Sequence, residues 1–438
     1  MAKHRAINTF KPAKKIAAKL SSLPIELKID SLADDGRGVA RHDNKVVFIA
    51  DALPGETVLA KASRLHKRFD EAELLEIITA SADRVAPVCA IYDQCGGCQL
   101  QHLNYPSQLA YKRAKLDKVI IGNGGAAAET AMLQASDTQY RHRARLSYYK
   151  GQLGFKAKSS HNIVAVEQCP LLENPINTAL AQNRNAICRY FGDKAKGEVS
   201  FSADRDGRVG IHIQKDGFVD LKRSEQLAAD IEAPAFLYSV TGSKGPAWLG
   251  ASSPLQYQTL NALTLRYQPG DFTQVNTAVN RQIIDLCLAW LAPQPDEQIA
   301  DYFCGLGNFS LALANAGARV SGFDAGESMI RSATQQALDA GLPIDYFCVD
   351  LFDSAAITIP PGCHKVILDP PRAGAKILCE HLAANKVVSR IAYVSCDPAT
   401  LARDLAILSA AGFGIAQAAM ADMFPHTHHV ESVVFLTR

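Results

Sequence analysis

From about residue 275 onward the chain alternates strands with helices, and a distinctive polar motif closes strand after strand. The spacing predicts strands at Gln298–Phe303, Arg319–Phe323, Ile344–Cys348, Lys365–Leu368 and Arg390–Val394, with helical stretches between them. Such alternation is the signature of a doubly wound parallel α/β sheet, and ligands of these sheets gather at the carboxyl ends of the strands. A last pair, near Ile415–Met420 and Ser432–Leu436, has no helix between its members. That hairpin departs from a plain dinucleotide-binding sheet.

The first strand runs into Asp301-Tyr-Phe-Cys-Gly305-Leu-Gly307-Asn308-Phe309. Glycines at a strand-to-helix turn permit a tight loop and close approach of a ligand to the backbone. Asp324 closes the next strand about 20 residues on, the distance at which an acid takes ribose hydroxyls. Asp350 follows the third strand, completing a row of acids. A dinucleotide site would carry a third glycine where Ser310 stands, and Asp301 would repel a pyrophosphate. The sulfonium and ammonium of S-adenosylmethionine meet no such objection, so that cofactor is expected.

Asp369-Pro370-Pro371-Arg372 closes the fourth strand and Ser395-Cys396-Asp397-Pro398 the fifth, so both face the glycine loop's rim. An isolated cysteine at a strand end is more often packing, but on the cofactor rim a nucleophile is the better reading. A ring carbon too weak a nucleophile to take a methyl group unaided becomes one when a thiolate adds at its neighbour, and a base must later remove the displaced proton. A free thiol titrates near ~8.5, so the site must help, and Arg372 is a candidate. Glu431 is the expected base, because its segment Pro425-His-Thr-His-His-Val-Glu431 precedes the last strand and can fold back over the rim. His426, His428 and His429 match no common zinc spacing.

Upstream, short strands at Ile25–Ile29, Lys45–Ile49, Glu56–Ala62 and Ala72–Ile78, with turns at Asp35-Gly36-Arg37-Gly38 and Pro54-Gly55, predict a small β-barrel. Arg64, His66, Lys67 and Arg68 cluster on one connection, a usual way for a small barrel to hold single-stranded nucleic acid and equally the pattern of a solvated loop. The first twenty residues carry Lys3, Arg5, Lys11, Lys14, Lys15 and Lys19 and no acid, a tail suited to phosphate even though the net charge is only +2. Leu109–Val119 reads as a basic amphipathic helix with Lys112, Arg113, Lys115 and Lys118. In Tyr140-Arg-His-Arg-Ala-Arg145 and the following Tyr148 and Tyr149, charges for phosphate sit beside faces for base stacking. The 11 cysteines are an odd count over a long chain, which argues for a reducing compartment over a disulfide framework. Cys89, Cys95, Cys98 and Cys169 offer four thiolates, a set for structural zinc or an iron–sulfur cluster that spacing alone does not separate. No apolar run reaches the ~20 residues of a membrane span.

Taken together, the Gly36-Arg37-Gly38 barrel, the four cysteines, Asp271-Phe-Thr-Gln274-Val-Asn276, Asp369-Pro-Pro-Arg, Ser395-Cys396-Asp-Pro and His426-x4-Glu431 resemble the RNA uracil-C5 methyltransferase family over nearly the whole chain. The resemblance is greatest to its bacterial 23S ribosomal RNA branch, which carries an N-terminal TRAM domain and a 4Fe-4S cluster. It implies an α/β fold with a Rossmann-like class I methyltransferase domain, an OB-like TRAM β-barrel and a central mixed α/β iron–sulfur and RNA-binding domain. The implied limits are a basic tail at 1–20, the barrel at 21–80, the central domain at 81–270 and the methyltransferase domain at 271–438. It also implies Cys396 as nucleophile, Glu431 as base, and Cys89, Cys95, Cys98 and Cys169 as cluster ligands. Gln274, Phe303, Asn308, Asp324, Asp350 and Asp369 fall on positions used around S-adenosylmethionine and the target base. Asp324 stands where close relatives often have Glu and Asp350 where they have Asn, and both keep a hydrogen-bonding oxygen. A flipped-out target base, a cytoplasmic monomer and no obligate protein partner complete the expectation. Methylation of transfer RNA, or an RNA-binding protein without catalysis, are the alternatives.

Overall fold

The computed structural model describes residues 23–126, 130–245, 247–250, 254–259 and 263–438. The basic tail at 1–20 lies outside the described residues. The chain divides into two compact units, Met1–Arg84 and Val85–Arg438.

The first unit is the expected small barrel. Its strands are β1 (Ile25–Lys28), β2 (Ser31–Leu32), β3 (Gly38–His42), β4 (Lys45–Ile49), β5 (Thr57–Leu65) and β6 (Phe69–Thr79), joined in the order β1-β5-β6-β4-β3-β2. β4 and β6 run parallel, and the remaining pairs are antiparallel. Alternation sends Leu27, Ala40, Val47, Ile49, Val58 and Ala60 into one core, the half-buried-strand pattern. The Asp30 N–H donates to Val39 O at 2.8 Å, drawing the ends of the sheet together. Gly38 is dictated by crowding, since a Cβ there would lie 2.8 Å from Ala52 O. Lys67 and Arg68 stand exposed at the β5–β6 connection, while His66 stacks on Phe69 with ring centroids 4.2 Å apart.

The second unit opens with a cysteine-bearing loop and α1 (Tyr105–Gly122), then β7 (Ala131–Leu133), β8 (Arg143–Tyr149), β9 (Gln152–Lys156), β10 (Ile163–Ala165) and α2 (Asn174–Phe191). There follow β11 (Lys196–Ala203), β12 (Val209–Phe218), α3 (Leu221–Asp230), β13 (Ala235–Lys244), β14 (Trp248–Leu249), β15 (Leu255–Gln258) and β16 (Thr264–Tyr267). A seven-stranded sheet, β10-β9-β8-β11-β12-β13-β14, takes most of this stretch, and its core includes Leu146, Leu180, Ile187, Phe201 and Ile211.

The remainder is α4 (Thr277–Leu291), β17 (Gln298–Tyr302), α5 (Ser310–Asn315), β18 (Arg319–Asp324), α6 (Glu327–Ala340), β19 (Ile344–Cys348), β20 (Lys365–Leu368), α7 (Lys376–Ala384), β21 (Arg390–Ser395), α8 (Pro398–Ala410), β22 (Gly414–Ala421) and β23 (Glu431–Thr437). These strands form a sheet in the order β19-β18-β17-β20-β21-β23-β22-β7. β19 through β21 are parallel neighbours, and β23 enters antiparallel between β21 and β22. Successive strand residues alternate between two cores. Leu368, Tyr393 and Val434 meet α1, α7 and α8, whereas Ile367, Ala392 and Val433 meet α4 and α5. Burial on both faces is what a mostly parallel sheet requires, and it explains near-continuous apolar runs such as Val366-Ile367-Leu368.

Two readings of the basic segments need correction. Lys112 is fully buried, not on the polar face of the basic amphipathic helix; its Nζ donates to Asp422 Oδ1 at 2.5 Å and to Phe424 O at 2.8 Å. It lies on the apolar stripe Leu109, Leu116, Ile120, so the face that packs α1 on the sheet carries a charge, and Asp422 at the end of β22 answers it. Tyr105 OH donates to the other Asp422 oxygen at 2.8 Å. Tyr148 likewise offers no stacking face: it is buried against Phe191 with ring centroids 4.3 Å apart. Tyr149 stays partly open, with Lys196 Nζ 4.8 Å from its ring centre.

Burial pushes the Lys112 ammonium down despite the pull of Asp422, so the pair is worth little against an apolar replacement but much against a broken one. Lys112→Ala is expected to cost about 3–5 kcal/mol in urea unfolding of the second unit. Removing both charges, as Lys112→Met with Asp422→Leu, is expected to cost distinctly less. Equal costs would mean the ion pair is not what matters there.

Candidate active site

Each parallel strand delivers a residue to one rim. After β17 the backbone turns through Phe303 (φ 66°), Gly305 (φ 54°) and Gly307 (φ 88°) into α5. Gly307 is required twice over, by its left-handed backbone and because a Cβ would lie 2.2 Å from the Tyr346 hydroxyl. Phe303 N–H donates to Phe323 O at 2.8 Å, tying the loop to β18. Asn308 is fixed by a reciprocal amide pair with Asn280 of α4, at 2.9 and 3.0 Å. The Asp324 carboxylate closes β18, accepting Gly305 N–H at 3.0 Å and Gly326 N–H at 2.7 Å. Asp350 stands exposed past β19, where its Oδ1 accepts Phe352 N–H at 2.9 Å.

Asp301 differs from the other acids of the row. It is wholly buried, its Oδ2 accepts Ser310 Oγ–H at 2.5 Å, and its Oδ1 has no hydrogen-bond partner. Burial pushes its carboxyl up to about 7.

Asp369 follows β20, Gln274 Nε2 donates to its Oδ2 at 3.2 Å, and burial pushes it up to about 7. Cys396 follows β21, one residue before Asp397, whose Oδ1 caps α8 by accepting Ala399 N–H and Thr400 N–H, each at 3.0 Å. The antiparallel register pairs Ser395 with Ser432, so Cys396 and Glu431, the next residues outward on the two strands, come together at the rim. Glu431 is buried, and burial together with Asp369 pushes its carboxyl well above the usual range. The Cys396 thiol is pushed up to about 12 by burial, then by Glu431 and Asp369, with Arg372 opposing. The rim therefore gathers three acids of the protein around one point, one of them a thiol.

Cys89, Cys95, Cys98 and Cys169 line one cavity of about 360 Å³ together with Arg141 and Arg143. Among the described residues, no group of three or more His, Cys, Asp or Glu stands in ligating geometry. The donor set nonetheless fits a thiolate-bound centre. Cys98 is pushed up to about 12 by burial, with Cys169 and Cys95 adding to the rise and Arg141 opposing, so the thiols sense one another's charge. Gly97 N–H donates to Cys95 Sγ at 3.4 Å, and the unpartnered Nε atoms of Arg141 and Arg143 are buried.

The connection from Asp422 to Glu431 was not foreseen as a structural hub. His426 O accepts from Gln99 N–H and Leu100 N–H, and His426 N–H donates to Gln108 Oε1 at 3.0 Å. The stripe 109-112-116-120 is the sequence signal that could have exposed Lys112; nothing comparable marks Gln99 or Gln108.

Two family models match the chain, one for tRNA (Uracil-5-)-methyltransferases over residues 256–340 and 361–438, the other for the TRAM domain over 25–75. The 23S rRNA (uracil(1939)-C(5))-methyltransferase RlmD of Chromohalobacter salexigens is 38% identical, over 94% of this chain and 89% of that protein. The chain belongs to the RNA uracil-C5 methyltransferase family. The protein of the same description from Shewanella sediminis is 35% identical, over 97% of this chain and 98% of that one. The crystal structure of Pyrococcus abyssi tRNA (uracil-54, C5)-methyltransferase with S-adenosyl-L-homocysteine superposes with a TM-score of 0.76 at 24% identity, over 94% of this chain and all of that one. That likeness shows a common fold, including the class I methyltransferase sheet.

The elevated thiol gives a direct expectation. Thiolate is scarce far below the titration point and grows about tenfold per pH unit. Iodoacetamide labelling of Cys396, read by peptide mass spectrometry, is expected to rise at that slope from pH 8 to 10, while exposed Cys348 labels readily at pH 8. A plateau for Cys396 below pH 9 would contradict the site's electrostatics.

Proposed function

We propose that this protein transfers the methyl group of S-adenosylmethionine to C5 of a uridine in 23S ribosomal RNA, as the names of its relatives describe for them. The observation that carries the reading is the meeting of Cys396 with Glu431 at the carboxyl rim of the sheet. S-Adenosylmethionine, when bound, supplies an electrophilic methyl group beside the glycine loop. Phe303, Asn308, Asp324 and Asp350 would hold its adenosine and amino-acid parts, and Gln274 and Asp369 would bridge towards the target base.

The chain's own residues then act in order. In the protein alone the Cys396 thiol stays protonated because it is buried, with Glu431 and Asp369 adding to the rise. The positive charge that S-adenosylmethionine would supply offsets Asp369 and, with Arg372, favours the thiolate, whose proton passes to solvent. The Cys396 thiolate adds to C6 of the flipped-out uracil, forming an S–C bond and sending the C5–C6 π electrons towards O4. C5 takes the methyl group, and S-adenosylhomocysteine departs. Glu431 takes the C5 proton, the C5–C6 double bond reforms, and the thiolate leaves. The balance is one methyl gained by RNA and one proton released.

The basic β5–β6 connection of the TRAM barrel and the exposed Arg145 of β8 are the RNA-facing charges in this reading. Cys89, Cys95, Cys98 and Cys169 would hold a 4Fe-4S cluster that braces the loops around it, with no electron transfer required. Among the described residues no helix is long and apolar enough to cross a membrane. A cytoplasmic monomer, divided as tail 1–20, barrel 21–80, central domain 81–270 and methyltransferase domain 271–438, completes the proposal.

Purified anaerobically, the protein is expected to form 5-methyluridine in a 23S ribosomal fragment at least about a hundredfold faster than in transfer RNA; the reverse preference would reassign the substrate. Cys396→Ala is expected to abolish methylation while binding of S-adenosylmethionine persists. The same preparation is expected to contain about four iron and four sulfide per chain, lost in Cys169→Ser. One zinc and no sulfide would replace the cluster by a structural metal.

A further inference from the structure

The connection that carries the base is held by side chains and backbone from outside its own sheet. Pro425 O accepts Tyr140 OH at 3.2 Å, Phe424 O accepts Lys112 Nζ at 2.8 Å, and His428 O accepts Lys115 Nζ at 2.9 Å. His426 sits in a left-handed conformation (φ 66°), unfavourable for a non-glycine residue by about 1 kcal/mol or more, and is gripped from two sides. On one side Gln108 Oε1 accepts its N–H at 3.0 Å. On the other, Gln99 N–H and Leu100 N–H both donate to its carbonyl, at 3.1 and 3.0 Å.

Gln99 contributes more than backbone. Its Nε2 donates to Gly96 O at 2.9 Å, and its Oε1 meets His428 Nδ1 at 3.2 Å. One side chain thus joins the loop between Cys95 and Cys98 to a residue three positions before Glu431. Cys396 and Asp369 follow β21 and β20, whereas Gln99 bonds to Gly96, His426 and His428.

We propose that Gln99 is a positioning residue for the proton-abstraction step, acting through His426 and His428 on the placement of Glu431. The inference rests on the general-base reading of Glu431. It predicts an uneven effect along the reaction. Thiolate addition and methyl transfer use groups on β20 and β21, whereas removal of the C5 proton uses Glu431, which follows directly on the segment that Gln99 holds at His426 and His428. Loosening Gln99 therefore leaves formation of the methylated Cys396–RNA adduct nearly unchanged and slows its breakdown, so the adduct builds up on ordinary uridine.

The test is single-turnover kinetics of the cluster-loaded protein with methyl-labelled S-adenosylmethionine and a 23S ribosomal fragment, reading denaturant-resistant protein–RNA adduct and released product separately. Glu431→Gln is the reference and is expected to trap adduct. Gln99→Ala is expected to form adduct within about twofold of the wild type and release product about tenfold more slowly, a part of the span that general base catalysis covers. Gln99→Glu, which keeps an oxygen for His428, is expected to recover much of the release rate. His428→Ala attacks the same link from the other side and serves if Gln99→Ala does not fold. Equal slowing of formation and release, or no slowing of either, would overturn the proposal while Glu431→Gln still traps adduct. Failure of Glu431→Gln itself to trap adduct would instead overturn the base assignment, and the role of Gln99 with it.

Discussion

The site depends on one reversal of direction. Strands β17 to β21 all point their carboxyl ends at the rim, so a residue at the start of another parallel strand would lie at the opposite edge of the sheet. β23 runs the other way, between β21 and β22, and so brings its first residue, Glu431, to the edge where β21 releases Cys396. The thiol and carboxylate proposed to act on adjacent ring carbons are thereby set on adjacent strands. The rim is also costly. Glu431 and Asp301 are buried acids, and both titrate above the ordinary carboxylate range because water is excluded from them.

That reversal needs a connection between β22 and β23, and the connection is where the central part of the chain meets the catalytic sheet. Lys112, Lys115 and Gln108 of α1, Tyr140, and Gln99 beside the cysteines all hydrogen-bond to it or to its first residue, Asp422. β7, from the same central stretch, adds the outermost strand, and Asp422 N–H donates to Leu133 O at 2.8 Å. The cysteine loop and the base thus belong to one hydrogen-bonded body, not to two modules in tandem.

Much of this was legible in the sequence because it is local. Strands β4, β19 and β20 were predicted to the residue, and β1, β5, β6 and the closing hairpin to within a few, while β2 and β3 went unread; alternation, glycine turns and apolar runs are properties of short windows. Cys396 and Asp369 were legible because position in a parallel sheet follows from counting strands. What escaped depends on distant pairing. Lys112 looks like one basic residue among several until Asp422, 310 residues away, is seen to bury it. Tyr148 reads as a stacking face until Phe191 covers it. Asp301 reads as a rim acid, yet its place inside the sheet and the Ser310 hydroxyl beneath the loop seal it below.

Covalent catalysis by Cys396 at C6 of uracil, with the C5 proton removed afterwards, is the chemistry proposed for this rim. Mass spectrometry of the protein mixed with S-adenosylmethionine and a ribosomal RNA fragment carrying 5-fluorouridine tests it most directly, because fluorine cannot leave C5 as a proton does. Covalent catalysis at Cys396 gives a stable adduct, one methyl group heavier than protein plus RNA, that maps to the Cys396 peptide. An unmodified Cys396 in protein shown to bind both S-adenosylmethionine and the RNA would contradict it.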